Sequence, residues 1–296
     1  MHPGRTAMTE KIFDSVFLKK IQSIVINTRM PLLEGGSGNR KSKAKGNSVE
    51  FSDFKEYTPG DDFRRIDWNA YGRSDRLYIR LSMEEREAMF NIFIDASKSM
   101  AFGGKDILSL KIAAVLSCIG LNSLDRVCIN AMNGKEIYSS QNVAGNAAFG
   151  KCINFLENIS FSGGTDIGSC VKGKDFPRKG ISIIISDFFT SAGIQDAVKY
   201  LMYKRQEVML VHVLSDEELT PNLEGCIKLL DSETGCVKEV IISSLLLKKY
   251  SEKLKNFINE IKECCAKTGA SYVLVSGGEP IEKVILHDFK NSGIII

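Results

Sequence analysis

From residue 90 onward, short apolar runs alternate with longer amphipathic segments. The apolar runs predict strands near residues 90–95, 126–132, 180–186, 207–214 and 271–276. Helical spacing predicts helices near residues 105–123, 145–159, 192–204, 243–268 and 280–289. Continuous apolar runs are typical of strands that are covered on both faces, and their alternation with helices is typical of parallel sheets. The pattern therefore predicts an α/β fold with a doubly wound, mostly parallel sheet flanked by helices.

Two segments depart from this alternation. The turn Gly134-Lys135 follows one predicted strand directly and precedes another at residues 135–140, which indicates a hairpin and an antiparallel edge strand. In residues 226–242, two apolar runs flank the polar sequence DSETG and leave no room for a helix. We expect a β-hairpin insertion there.

The region before residue 89 has a different character. Residues 10–30 carry apolar side chains at helical spacing, residues 34–49 are polar, basic and rich in glycine, and residues 76–84 alternate as a half-buried strand does. We therefore divide the chain into an N-terminal tail and amphipathic helix (1–33), a flexible basic loop (34–50), a small β-rich segment (51–88), the α/β domain (89–290) and a C-terminal tail (291–296).

Composition narrows the class of protein only broadly. With 44% hydrophobic and 25% charged residues, the chain reads as an ordinary globular protein, and its net charge of +3 is too small to indicate nucleic-acid binding by itself. No apolar run reaches the roughly 18 residues that a membrane helix needs, and the first 30 residues do not resemble a signal peptide. We expect a cytoplasmic protein.

Oxygen-bearing side chains follow two of the predicted strands. Asp95, Ser97 and Ser99 lie on a turn directly after one strand, and Asp187 follows another; Thr165 comes after paired glycines between them. Ligands of open parallel sheets bind outside the carboxyl ends of the strands, where both aspartates fall. Carboxylate and hydroxyl oxygens suit a small hard cation such as Mg²⁺. The alternative is that these side chains only cap the turns that follow them.

These motifs, D-x-S-x-S, G-G-T-D and a strand-terminal S-D, resemble the metal-ion-dependent adhesion site of von Willebrand factor A (vWA) domains. The five positions are filled by Asp95, Ser97, Ser99, Thr165 and Asp187. The resemblance implies that the two serines and the threonine contact the metal directly and that the aspartates often act through water. It also implies that a partner's carboxylate completes the coordination of Mg²⁺, Mn²⁺ or Ca²⁺. We expect the cation to bind weakly without that partner.

The segment upstream strengthens the resemblance. The sequence GNSVEFSDFKEYTPGDDFRRIDWNAYGRSDRLYIRL is similar to the signature of the family called domain of unknown function 58, whose members carry a vWA-like domain. The matching positions are Pro59, Gly60, Asp61, Asp62, Arg65, Asp67, Trp68 and Arg73. Proteins that resemble this family often occur with MoxR-type AAA+ ATPases, which implies an adaptor or assembly factor. We expect Trp68 to be a packing anchor.

Three functions remain open at this point. The first is a noncatalytic protein-interaction module that binds a partner carboxylate through a divalent cation. The second is a metal-dependent hydrolase or phosphatase with Asp95 as nucleophile, although Ser97 stands where such enzymes carry a second aspartate, and the sequence has no G-x-S-x-G or P-loop motif. The third is a nucleic-acid-binding protein that uses the basic loop, which lacks aromatic residues between Arg40 and Lys45 for base stacking.

Overall fold

The computed structural model describes residues 12–26, 51–58, 63, 66–82, 89–122, 125–189, 193–230 and 236–292. The chain separates into two compact units. The larger comprises Met1–Ser37 and Ala88–Ile296, and the smaller comprises Gly38–Glu87.

The strands and helices follow the predicted alternation. The strands are β1 (Phe51–Glu56), β2 (Tyr78–Ser82), β3 (Met89–Asp95), β4 (Arg126–Asn133), β5 (Glu136–Ser139), β6 (Val143–Ala144), β7 (Gly180–Ser186), β8 (Gln206–Leu214), β9 (Gly225–Leu230), β10 (Val237–Ile242) and β11 (Ser271–Ser276). The helices are α1 (Ser15–Ile26), α2 (Trp68–Ser74), α3 (Lys105–Asn122), α4 (Phe149–Glu157), α5 (Ile167–Lys172), α6 (Ile194–Tyr203), α7 (Asp216–Leu219), α8 (Ser244–Thr268) and α9 (Ile281–Lys283), the last continuing as a π-helical segment over Val284–Phe289.

The central sheet of the larger unit has the strand order β11-β8-β7-β3-β4-β5, and β6 also pairs with β4. Its pairs are parallel from β11 to β4, whereas β5 and β6 run antiparallel to β4. The predicted α/β class, with a vWA-like, mostly parallel sheet and an antiparallel edge strand, is confirmed. The chain first adds strands on one side of β3 and then returns to add β7, β8 and β11 on the other side. This reversal makes the boundary between β3 and β7 the topological switch point.

Both faces of the sheet are covered, as the continuous apolar runs predict. Ile92 and Ile94 of β3 pack into the cluster that contains the buried side chains of α3. Phe93, which points to the opposite face, packs into a second cluster with Val198 of α6 and Ile261 of α8. Most side chains on both faces of the central strands are hydrophobic. Asp95 and Asp187 lie at the carboxyl ends of β3 and β7.

Helix α1 belongs to the core of the larger unit. Phe13, Phe17 and Ile21 are buried and share a cluster with side chains of α3, so the apolar face predicted from the sequence packs in cis. Within the residues that the structure describes, no helix has the length and apolar character that a bilayer span requires.

The predicted hairpin insertion is confirmed by the antiparallel pairing of β9 with β10, between Ile242↔Gly225 and Val237↔Leu230. Four short elements were not predicted, namely β6, α2, α5 and α7. Each has seven residues or fewer, which is too short for hydrophobic periodicity to distinguish it from a turn.

Candidate cation site at the carboxyl edge of the sheet

The turn after β3 places two hydroxyl groups side by side. Asp95 ends the strand and accepts a hydrogen bond on Oδ1 from the backbone N–H of Ser97 over 3.0 Å. A short 3₁₀ helix then begins at Ser99. As a result, the hydroxyl groups of Ser97 and Ser99 form a hydrogen bond with an oxygen–oxygen distance of 3.0 Å. Two neighbouring oxygen ligands of an octahedral Mg²⁺, each at about 2.1 Å, are separated by about 3 Å. The spacing of the two hydroxyls therefore suits one small cation.

A second loop brings Thr165 to the same turn. Gly163 has a φ of 63°, a conformation that favours glycine, and its carbonyl accepts a hydrogen bond of 2.8 Å from the N–H of Lys98. The Thr165 hydroxyl donates to the carbonyl of Met132 over 3.3 Å, and its proximity to the Asp95 carboxylate helps to lower the pKa of Asp95. Thr165 thus lies beside the first aspartate, as the sequence predicts.

Asp95 is enclosed by partners. Its side chain is 3% exposed, and Oδ2 accepts a hydrogen bond of 2.5 Å from the Ser186 hydroxyl. Burial raises the pKa of Asp95, and the nearby charge of Asp187 raises it further, while hydrogen bonds from Ser186, Thr165 and Ser97 lower it. Both carboxylate oxygens are therefore fixed in orientation by protein donors.

Asp187 has a different environment, because it is paired with a lysine. Its Oδ1 accepts a hydrogen bond from the N–H of Phe189 over 3.1 Å, and its Oδ2 lies 2.8 Å from the Lys105 ammonium. The Lys105 side chain is fully buried and also contacts Glu218 Oε1 at 2.7 Å. Between Asp187 and Phe189, Phe188 has a φ of 56°, an unusual conformation for a bulky residue. Asp187 thus already has a cationic partner within the protein, which it shares with Glu218.

The predicted five residues meet at one edge, but they fall into two groups. Asp95, Ser97, Ser99 and Thr165 form what we call the hydroxyl half, whose oxygen atoms are of the kind that a hard divalent cation prefers. Asp187, Lys105 and Glu218 form what we call the lysine half. Among the described residues, no group of three or more His, Cys, Asp or Glu side chains could hold a metal ion. A cation at this edge would therefore depend on hydroxyl oxygens, and the hydroxyl half fits one.

Lys105 and Glu218 were not identified from the sequence, although each leaves a signal there. Lys105 is the first residue of α3, where the helix dipole disfavours a positive charge, so a buried lysine at this position needs a carboxylate partner. Ser215 and Glu218 form a capping box: the Ser215 hydroxyl accepts from the N–H of Glu218 over 3.1 Å, and Glu218 Oε2 accepts from the N–H of Ser215 over 2.8 Å. The capping box leaves Oε1 of Glu218 for Lys105.

Asp166, which follows Thr165, has a structural role. It is the N-cap of α5, and its carboxylate accepts hydrogen bonds from both the N–H and the hydroxyl of Ser169, at 3.0 and 2.6 Å. These hydrogen bonds lower the pKa of Asp166. Asp166, which is not one of the five predicted ligands, therefore caps a helix, as aspartate commonly does.

The signature residues lie in the smaller unit and are described in part. Asp67 is the N-cap of α2, and its Oδ1 accepts from the N–H groups of Asn69 and Ala70 at 2.9 and 3.2 Å. Trp68 is 66% exposed and makes an edge-on contact with Tyr71. Our expectation that Trp68 is a packing anchor is wrong, because most of its ring lies on the surface. Arg73 lies exposed in the last turn of α2.

The other predicted positions fall outside the described residues. They are Pro59, Gly60, Asp61, Asp62 and Arg65 of the signature, and the basic loop at residues 34–50.

The fold and the polar edge define a class of protein, an α/β domain with a vWA-like sheet. A family model gives a more specific assignment: the model described as "Protein of unknown function DUF58" matches residues 53–256, which is more than half of the chain. The protein belongs to this family, and the resemblance found in the signature is confirmed.

Individual proteins are similar at a lower level. An uncharacterized protein from Mycobacterium tuberculosis (strain ATCC 25618 / H37Rv) is 24% identical over 218 residues, which cover 71% of this chain and 68% of the relative. The crystal structure of the conserved hypothetical protein BatB from Bacteroides thetaiotaomicron matches with a TM-score of 0.43 and 16% identity, covering 69% of this chain and 98% of BatB. The SpRpn10 VWA domain matches with a TM-score of 0.38 and 8% identity, covering 67% and 93% of the two chains.

Proposed function

We propose that this protein is a noncatalytic protein-interaction module that binds a partner carboxylate through a divalent cation held by the hydroxyl half. The observation that carries the proposal is the 3.0 Å separation of the Ser97 and Ser99 hydroxyls beside the fixed carboxylate of Asp95. The two hydroxyls hydrogen-bond to each other and not to a backbone N–H in the described contacts, so both can turn toward a cation without uncapping the turn. Mg²⁺ fits this set best, with Mn²⁺ or Ca²⁺ as alternatives.

Each residue of the hydroxyl half has a distinct task. Ser97 and Ser99 supply neutral oxygens, and Thr165 supplies a third from the neighbouring loop. Asp95 supplies negative charge, and its orientation is fixed by the Ser97 N–H and the Ser186 hydroxyl. When bound, the cation supplies an open coordination position that an Asp or Glu oxygen of the partner can fill.

Two partly exposed aromatic side chains lie near this edge, and they support a role in protein binding. Phe102, which follows the turn that carries Ser99, is 51% exposed, and Phe189, two residues after Asp187, is 43% exposed. Lys98 is also exposed, within the turn itself. Aromatic side chains around a central polar contact are typical of protein interfaces, and a basic residue beside them favours an acidic partner segment.

The environment of Asp95 supports the noncatalytic interpretation over the phosphatase alternative. A nucleophilic carboxylate needs an accessible oxygen, whereas Asp95 is 3% exposed and both of its oxygens accept hydrogen bonds. A small-phosphoester assay tests this point. We expect no turnover above that of Asp95→Asn, and turnover that disappears in Asp95→Asn would favour the phosphatase.

The family resemblance suggests which partner to test first. We propose a MoxR-type AAA+ ATPase, with this protein as its adaptor or assembly factor in the cytoplasm. The experiment is a binding titration of the purified ATPase in Mg²⁺ and in EDTA. We expect the affinity to fall about tenfold or more, or at least 1.4 kcal/mol, when Mg²⁺ is removed.

Variants of the hydroxyl half test whether the loss of ATPase affinity in EDTA arises at the proposed cation site. Ser97→Ala/Ser99→Ala should weaken binding in Mg²⁺ as strongly as EDTA does. Ser251→Ala is a matched control, because its hydroxyl lies on the exposed surface of α8 and bonds only to the Leu247 carbonyl. Binding that is equal in EDTA and Mg²⁺, or that survives the double serine change, would refute the role of the cation.

A further inference from the structure

Lys105 provides a positive charge inside the edge where a metal would be expected. Its ammonium lies 2.8 Å from Asp187 Oδ2 and 2.7 Å from Glu218 Oε1, and its side chain has no exposed surface. The lysine half therefore contains two carboxylates and one ammonium, all largely removed from water. Burial of this kind is stable only when each charge keeps its partner.

The backbone around Lys105 fixes its position. Gly103 and Gly104 have φ values of 60° and 76°, and α3 begins immediately after them. The loop after β11 packs tightly against this start, since a Cβ at Gly277 would lie 2.5 Å from the Gly103 carbonyl oxygen and 3.2 Å from the Lys105 nitrogen. The backbone from which the Lys105 side chain projects is therefore tightly packed.

Glu218 is fixed equally well. Its Oε2 is held by the capping box with Ser215, and its backbone carbonyl accepts a hydrogen bond of 2.9 Å from the Tyr250 hydroxyl of α8. Lys105 is consequently held between two carboxylates that cannot easily move away. A cation entering the hydroxyl half would meet Asp187 with one oxygen bonded to this ammonium and the other to the Phe189 N–H.

We propose that Lys105 is an internal cation that competes with the divalent cation for Asp187 and thereby keeps metal affinity low until a partner carboxylate is present. This inference rests on the proposed function, because it specifies how the same site is regulated. The physical reason is electrostatic: the Lys105 ammonium 2.8 Å from Asp187 Oδ2 already draws on the negative charge of this carboxylate, and it repels a second cation that approaches the same group.

The test is a calorimetric titration with Mn²⁺ of the wild-type protein and of Lys105→Met/Glu218→Gln. The double change removes one ammonium and one buried carboxylate charge, so the net charge of the lysine half is unchanged and Asp187 becomes available to the metal. Lys267→Met/Glu263→Gln is the matched control, since it removes one charge of each sign from an exposed ion pair on α8. The melting temperature of each variant, with and without Mn²⁺, checks folding.

We expect Mn²⁺ to bind Lys105→Met/Glu218→Gln about tenfold or more tightly than wild type, a difference of at least 1.4 kcal/mol, and the control to stay within about twofold. Adding Asp187→Asn to the double variant should return the Mn²⁺ affinity to that of wild type. A double variant that binds no more tightly than wild type would overturn the inference, even if wild type binds Mn²⁺ through Ser97 and Ser99. If wild type alone shows no binding and the double variant does, the inference stands, and the proposed function fails only if partner binding is equal in Mg²⁺ and in EDTA. If neither protein binds Mn²⁺, the inference is overturned.

Discussion

The two halves of the polar edge each contain a buried aspartate, but they stabilise its negative charge in different ways. In the hydroxyl half, Asp95 is buried and its charge is stabilised only by hydrogen bonds from Ser97, Ser186 and Thr165. In the lysine half, Asp187 is buried to the same degree but is paired with Lys105. The difference indicates that an added cation would stabilise Asp95 more than Asp187, because no positive charge of the protein contacts Asp95 in the described structure.

The largest effect is expected from breaking the buried ion pair. Lys105→Met would leave Asp187 and Glu218 without their shared ammonium, and removal of one partner from a buried pair is destabilising by about 3–5 kcal/mol. The free energy of unfolding from urea denaturation measures this change. Lys98→Met, which removes an exposed lysine from the neighbouring turn, should stay within about 0.5 kcal/mol of wild type. Equal losses in both variants would show that the two halves do not differ in this way.

A smaller loss is expected in the hydroxyl half. Ser186→Ala removes the hydrogen bond to Asp95 Oδ2 and leaves a buried carboxylate oxygen with less support, which should destabilise the protein by about 1–3 kcal/mol. Saturating Mn²⁺ should restore part of this loss, because a bound cation stabilises the same carboxylate. The melting temperatures of Ser186→Ala and Ser251→Ala, with and without Mn²⁺, measure both effects. If Mn²⁺ raised the melting temperature of Ser251→Ala as much as that of Ser186→Ala, the cation would not act at Asp95. If Mn²⁺ left the melting temperature of Ser186→Ala unchanged, the assignment of the cation site to the hydroxyl half would be contradicted.

Packing against the start of α3 provides a third comparison. Gly277→Ala places a methyl group 2.5 Å from the Gly103 carbonyl oxygen, so α3 or the loop must shift, and we expect a destabilisation of about 1–3 kcal/mol. Gly150→Ala in α4 is the control: nothing lies within 4 Å of its added methyl group. That change should stabilise the protein by about 0.5–1 kcal/mol, as alanine favours a helix over glycine. Similar effects at both glycines would show that the start of α3 is not tightly packed.

The smallest effect is expected at an exposed ion pair. Lys20 of α1 lies 2.6 Å from Glu282 of α9, and its hydrogen bond lowers the pKa of Glu282 from the ordinary value of 4.5. A lowered pKa stabilises the folded protein above the ordinary value, and the stabilisation disappears as the pH falls through the lowered pKa. Glu282→Gln should therefore slightly lower the melting temperature at neutral pH and leave it unchanged in strong acid. A loss that is independent of pH would mean that packing, not charge, is responsible.

The sheet could be predicted from the sequence because its strands are continuous apolar runs, and the hairpin at β9 and β10 because two such runs flank a polar turn. The hydroxyl half could be located because Asp95, Ser97 and Ser99 follow a strand directly. The pairing of Asp187 with Lys105 could not be predicted, because Lys105 and Glu218 are distant in sequence and meet only when α3 and α7 pack at the same edge. The exposure of Trp68 was also missed, because the type of a residue does not show which face of a short helix it occupies.

The most direct test of the account is a crystal structure of the wild-type protein soaked in Mn²⁺, with the metal located by its anomalous signal. We expect a peak within about 2.0–2.3 Å of the Ser97 and Ser99 hydroxyl oxygens, while the Lys105 ammonium stays on Asp187 Oδ2. A peak coordinated directly by Asp187 with Lys105 displaced, or no peak at the hydroxyl half, would contradict it.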